Sequence, residues 1–255
     1  MIDEVLLSYH LGKNSTGYDQ NFFPLGSTYT KAFKTQEKVH ALGKFLRTNT
    51  VLGTFNLNQL QATLHDLVEF KPEIINFLPV NLFDQAGDLA CTIDYCKLRP
   101  LLKNAIDFIK QCLPSTLIFA RYMPFCEMEG YEQHIVGHLQ HIYDWFDWNV
   151  ELSGVEYLDE IRKDGGRNLL KTLGRYGSTS VRRALDARSG LYQKPAKCML
   201  CKFNLLCDGI EKGINRESTS KFAVPCVEPM VKNPLEFISG ASEAKYHEIY
   251  GTSGS

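Results

Sequence analysis

Between residues 5 and 122, short apolar runs alternate with longer stretches of helical periodicity, and this alternation restricts the chain to few architectures. Val5-Leu6-Leu7 reads as a buried strand, LRTNTVL (46–52) is β-branched and strand-like, and EIINFLPV (73–80) and STLIFARY (115–122) read as two more strands. Between them lie a helical segment from about Thr30 to Phe45, a helix with Leu60, Leu64, Leu67 and Val68 on one face, and a helix lined by Leu98, Leu101, Leu102, Ala105, Ile109 and Cys112. Strands separated by helices join through right-handed crossovers, so an α/β fold with a parallel sheet is expected. In such sheets functional groups gather where strands end, which places His10, Asn56, Asn81 and Cys126 near one rim.

The alternation stops after residue 126. Helical stretches are expected at 132–147, 155–163 and 178–187, interrupted by Gly165-Gly166, Gly174 and Gly177 and followed by a tail punctuated by Pro225, Pro229 and Pro234. The expected division is 1–125, 126–250 and a linker-like GTSGS at 251–255.

Charge and hydropathy exclude several partner classes. The 255 residues carry 28 basic and 29 acidic side chains, a formal net charge of -1, so nucleic acid is not an expected partner. No apolar run approaches the roughly 18–20 residues needed to span a bilayer, and MIDEVLLSYHLG lacks the basic flank of a secretory signal. A cytoplasmic location is therefore expected, in which the eight cysteines stay reduced and a tight cluster points to metal ligation.

That cluster is CMLCKFNLLCDG, with Cys198, Cys201 and Cys207 at C-x2-C-x5-C. One cysteine passes as a small buried hydrophobe; three at this spacing read as soft thiolate ligands for an iron–sulfur cluster or zinc. A structural zinc would want a fourth ligand. Cys91, Cys96 and Cys112 read as core or surface thiols. His134, His138 and His141 share one face of the expected 132–147 helix, but without an H-E-x-x-H pattern they read as a partly buried polar face. Glu127, Glu129 and Glu132, with Asp144 and Asp147, read as a solvated face.

Three blocks together carry a family resemblance. DEVLLSYH, FLRTNTVLGTFNLNQL and EIINFLPVN resemble the fourth to sixth strand regions of a radical S-adenosylmethionine enzyme. RYMPFCEMEGYE and YDWFDW resemble the segment that follows the barrel, and CMLCKFNLLCDG resembles the C-terminal auxiliary iron–sulfur motif of the SPASM or twitch type. The resemblance covers about residues 2 to 240. It implies a partial parallel (β/α) barrel with a small cysteine-rich C-terminal domain, and an auxiliary 4Fe-4S cluster held by Cys198, Cys201 and Cys207. Cys126 and Cys226 are the alternatives for a fourth ligand, and zinc is the alternative metal. The family motif continues to a further cysteine where this chain has Glu211.

The resemblance also implies that Ser8, Arg47, Asn49 and Asn81 approach S-adenosylmethionine, Ser8 near the ribose and Arg47 or Asn49 near the carboxylate. The family's initiating C-x3-C-x2-C motif is absent from these residues. The chain thus reads as the C-terminal portion of such an enzyme, a split subunit or a degenerate relative, inactive alone and with no catalytic residue of its own assigned. The implied partners are an N-terminal half or other chain covering the open strand edge, and a peptide substrate. The competing reading is a non-catalytic binding module stabilised by iron–sulfur or zinc.

Overall fold

The computed structural model describes residues 4–10, 12, 29–80, 91–138, 190–212, 225–227 and 229–231. The chain divides into two compact units, Met1–Arg121 and Tyr122–Ser255.

The first unit is built on parallel strands in chain order: β1 (Glu4–Ser8), β2 (Phe45–Leu52), β3 (Ile74–Pro79) and β4 (Leu117–Arg121). Register pairs Ser8 with Asn49, Asn49 with Asn76, and Asn76 with Phe119. Crossovers run through α1 (Tyr29–Ala41), α2 (Leu60–Phe70) and α3 (Tyr95–Cys112). The α/β reading with a parallel sheet is therefore observed.

Each helix has a local physical origin. Asp94 caps α3 by accepting the Cys96 amide at 2.9 Å. Leu98, Leu102, Ala105 and Ile109 then recur at helical spacing and are fully buried; each of the larger ones stabilises the unit by about 1.5–3 kcal/mol. Helix α1 ends at Ala41, before the expected Phe45, because Gly43 adopts φ +60° and turns the chain into β2. Two residues assigned to the apolar face of α3 lie elsewhere: Leu101 is 37% exposed, and Cys112, the last helical residue, is exposed.

Side chains alternate across the sheet. Leu46, Thr48, Thr50 and Leu52 share the face on which Tyr9 meets α2: its hydroxyl donates to Asp66 at 2.6 Å and its ring packs edge-on to Phe70. The opposite face carries Glu4, Arg47, Asn49, Asn76 and Arg121. There Arg121 Nε donates to Asn76 Oδ1 (3.1 Å), Asn76 Nδ2 donates to Asn49 Oδ1 (2.8 Å), and Arg47 Nε lies 2.8 Å from Glu4 Oε1.

In the second unit the described part of the expected 132–147 helix is not α-helical. Residues Glu132–His134 form a 3-10 turn, followed by β5 (Ile135–Val136), whose Val136 carbonyl accepts the Tyr122 amide at 2.8 Å. The helix-face arrangement of His134, His138 and His141 is thus corrected: His134 and His138 are buried without sharing a helix, and His141 lies outside the described residues. Glu127, expected on a solvated face, is 2% exposed. Strands β6 (Tyr192–Gln193) and β7 (Ile210–Glu211) pair antiparallel. Segments 155–163 and 178–187, with Asp144 and Asp147, lie outside the described residues.

Candidate metal centre

The β6–β7 ribbon clamps the two ends of the segment that carries three cysteines. Tyr192 pairs with Glu211, and Lys212 N–H returns to the Leu191 carbonyl at 2.8 Å. Within this frame the backbone coils in short turns. Cys198 N–H donates to Pro195 O, Cys201 N–H to Cys198 O and Cys207 N–H to Phe203 O, at 2.8–3.0 Å. The first turn, Ala196–Leu200, is 3-10, so residues three apart eclipse, which brings Cys198 and Cys201 to one side. The second turn returns Cys207 to the same side.

A further 3-10 turn, Phe125–Glu127, presents Cys126. Phe125 stacks on Phe203, ring centroids 4.5 Å apart at 20°, and so locks this turn against the cysteine segment. The outcome is one pocket whose walls include Cys126, Cys198, Cys201, Cys207, Phe125 and Lys194. Cys201 is buried, and the other three thiols are half-buried.

Cys226 lies beside this pocket through its backbone. Its carbonyl accepts the Lys202 amide at 2.8 Å, and the neighbouring Pro225, not Cys226, is among the pocket walls. Of the two alternatives for a fourth ligand, the structure therefore groups Cys126 with the other three. All eight cysteines are free thiols.

The electrostatics of the pocket are mixed. Burial pushes the Cys207 thiol up from its ordinary value, opposed by amide hydrogen bonds from Phe125 and Gly209 and by the Lys194 charge. The Gly209 amide lies 3.4 Å from Cys207 Sγ. Burial also raises Cys198, and Cys201 adds to the effect, while Lys194 and Lys197 oppose it. Lys194 Nζ donates to the Asn204 carbonyl, holding a cation at the wall where thiolates would gather. Apolar walls with amide donors and one fixed cation suit a group that carries several thiolates. Among the described residues no three His, Cys, Asp or Glu side chains are grouped to hold a single metal ion.

Gly209 has a steric reason to be glycine. Its φ is +101°, and a Cβ there would stand 2.5 Å from the Gln193 carbonyl oxygen. The close approach of β6 lets the Gly209 amide face the Cys207 sulfur. Asp208, Gly209 and Lys194 belong to no motif that the sequence announces; the Asp-Gly pair directly after Cys207 is the one signal they leave.

The residues implied for S-adenosylmethionine lie in the first unit. Ser8, Arg47 and Asn49 fall on the polar face of the sheet; Ser8 is exposed, Arg47 is buried against Glu4, and Asn49 is bonded to Asn76. Asn81 lies outside the described residues. Of the expected rim residues, His10 and Asn56 meet beyond the ends of β1 and β2. Asn56 Nδ2 donates to the His10 and Val51 carbonyls, both at 2.7 Å, and Asn56 Oδ1 accepts the Gly53 amide at 2.9 Å. His10 Nδ1 accepts the Val51 amide at 2.9 Å, and burial lowers its pKa to about 4. These bonds make His10 and Asn56 a buried brace for the loop ends.

No family model, curated protein or solved structure matches this chain.

Proposed function

We propose that the second unit holds an auxiliary 4Fe-4S cluster on Cys126, Cys198, Cys201 and Cys207, and that the chain is the C-terminal portion of a radical S-adenosylmethionine enzyme. The observation that carries the cluster reading is the gathering of these four thiols, from two distant segments, around one pocket. In a 4Fe-4S cluster each thiolate binds a different iron, so the ligands stand around a cavity. A tetrahedral zinc, with Zn–S near 2.3 Å, asks its ligands to converge on a point. The Gly209 amide facing Cys207 Sγ is the kind of hydrogen bond that tunes such clusters.

The enzyme reading rests on the resemblance and on the parallel strand order of the first unit, whose polar face carries Ser8, Arg47 and Asn49. When bound, the cluster supplies one-electron chemistry. The chain's own residues supply the thiolates, the Lys194 charge and a largely apolar wall. A segment bearing C-x3-C-x2-C, a motif absent from these 255 residues, completes the activity from an N-terminal half or a partner chain, with a peptide as the substrate class.

The test is reconstitution. This chain is mixed anaerobically with a separate module carrying the three-cysteine motif, in the presence of S-adenosylmethionine and a reductant, and 5′-deoxyadenosine is measured. Product that depends on both components supports the enzyme reading. No product at any stoichiometry, with an intact cluster in this chain, favours the non-catalytic binding module.

A further inference from the structure

Asp208 follows Cys207 directly, and both Asp208 and His138 are 6% exposed. Asp208 Oδ2 accepts two hydrogen bonds from His138, one from the main-chain amide at 2.8 Å and one from Nδ1 at 3.0 Å. A carboxylate only accepts, so His138 Nδ1 carries the hydrogen. The imidazole is held in turn by aromatic rings. Tyr122 stacks on it at 4.3 Å and 29°, and Tyr192 meets it edge-on at 5.3 Å and 62°.

Tyr192 belongs to β6, the strand whose Gln193 carbonyl abuts Gly209. The residues on either side of Asp208 are thus both tied to the pocket, Cys207 through its sulfur and Gly209 through the amide that faces it. Asp208 is the middle residue of this three-residue turn, and its carboxylate is anchored to His138. Its charge also disfavours a thiolate at the adjacent Cys207, and His138 holds that carboxylate through two hydrogen bonds.

We infer that the His138–Asp208 pair is a positioning device for the Cys207 corner, fixing the turn that aims the sulfur and setting the local charge felt by a bound cluster. This rests on the cluster reading above. Groups packed behind metal ligands commonly set ligand orientation and tune the metal. The pair makes a prediction of opposite sign for its two members. Asp208→Asn keeps both acceptor contacts and removes the charge, so reduction becomes easier. His138→Leu keeps the main-chain bond but removes the ring donor, so the carboxylate is less screened and reduction becomes harder. His138→Asn restores an N–H near the Nδ1 position.

The experiment uses the full chain with its cluster assembled anaerobically, and measures the midpoint potential and the electron paramagnetic resonance spectrum of the reduced state. Asp208→Asn is expected to favour the reduced form about tenfold, equivalent to about 59 mV upward for one electron. His138→Leu is expected to move in the opposite direction with an altered spectrum, or to lose cluster, and His138→Asn to return towards wild type. Potentials and spectra unchanged in both Asp208→Asn and His138→Leu would overturn the inference while leaving the cluster in place. A wild-type chain that assembles no iron–sulfur cluster overturns the parent reading, and this one with it.

Discussion

His10 shows how a residue at a strand end turns out to be a brace. The sequence places it on the rim where functional groups gather, yet its Nδ1 is committed to the Val51 amide and its ring is buried. The native state holds it neutral down to about pH 4, whereas the unfolded chain protonates it near 6.5. Between these values the unfolded state binds more protons, so stability falls as pH falls from about 6.5 to about 4, by roughly 3 kcal/mol at the lower end. Urea denaturation across this range checks it: His10→Asn, which retains an acceptor but cannot titrate, should flatten that slope relative to wild type. At Gly209, backbone conformation and crowding act together. Gly209→Ala is expected to cost about 2–3 kcal/mol of second-unit stability, read by limited proteolysis of segment 194–211 or by thermal unfolding. The thiol cluster was legible at this scale because C-x2-C-x5-C is rare by chance; Asp208 and Lys194 were not, because their roles depend on contacts with His138 and Asn204.

At the scale of elements, β1, β3 and β4 are readable because parallel strands covered by helices are largely apolar runs, and β2, FLRTNTVL, because of its β-branched residues. The helix bounds were less so. Phe45 continues the apolar pattern of α1, and only Gly43 and the pairing of Glu4 with Phe45 move it into β2. The 132–138 segment failed for a related reason: His134 and His138 stand four apart, but main-chain pairing between Tyr122 and Val136 outweighs that local period. Asn76 stands between Ile75 and Phe77 and Asn49 between two threonines, and only register reveals that they meet across β2 and β3. The Arg47–Glu4 pair links β1 to β2, with Arg47 2% exposed. Glu4→Ala removes the carboxylate that lies 2.8 Å from the buried guanidinium, with an expected cost of about 3 kcal/mol. The double variant Glu4→Leu with Arg47→Met should recover most of it, and a double-mutant cycle in urea measures the coupling. Additive losses would show that the pair contributes nothing.

For the molecule as a whole, two chemistries are kept in separate units: a sheet face bearing Arg47, Asn49, Asn76 and Arg121, and a pocket walled by four thiols. Among the described residues no helix is long and apolar enough to cross a membrane. The α/β class follows from local patterns, whereas the gathering of Cys126 with residues 198–207 needs the fold, because more than seventy residues separate them and sequence alone leaves both Cys126 and Cys226 open as the fourth ligand. That gathering is also the point at which the account is most exposed to experiment. Chain purified without oxygen and assayed for iron and acid-labile sulfide, with Mössbauer spectroscopy, should contain one 4Fe-4S cluster; Cys126→Ala should lose or convert it, and Cys226→Ala should retain it. Stoichiometric zinc in place of iron, or a cluster that survives Cys126→Ala and is lost in Cys226→Ala, would contradict the account.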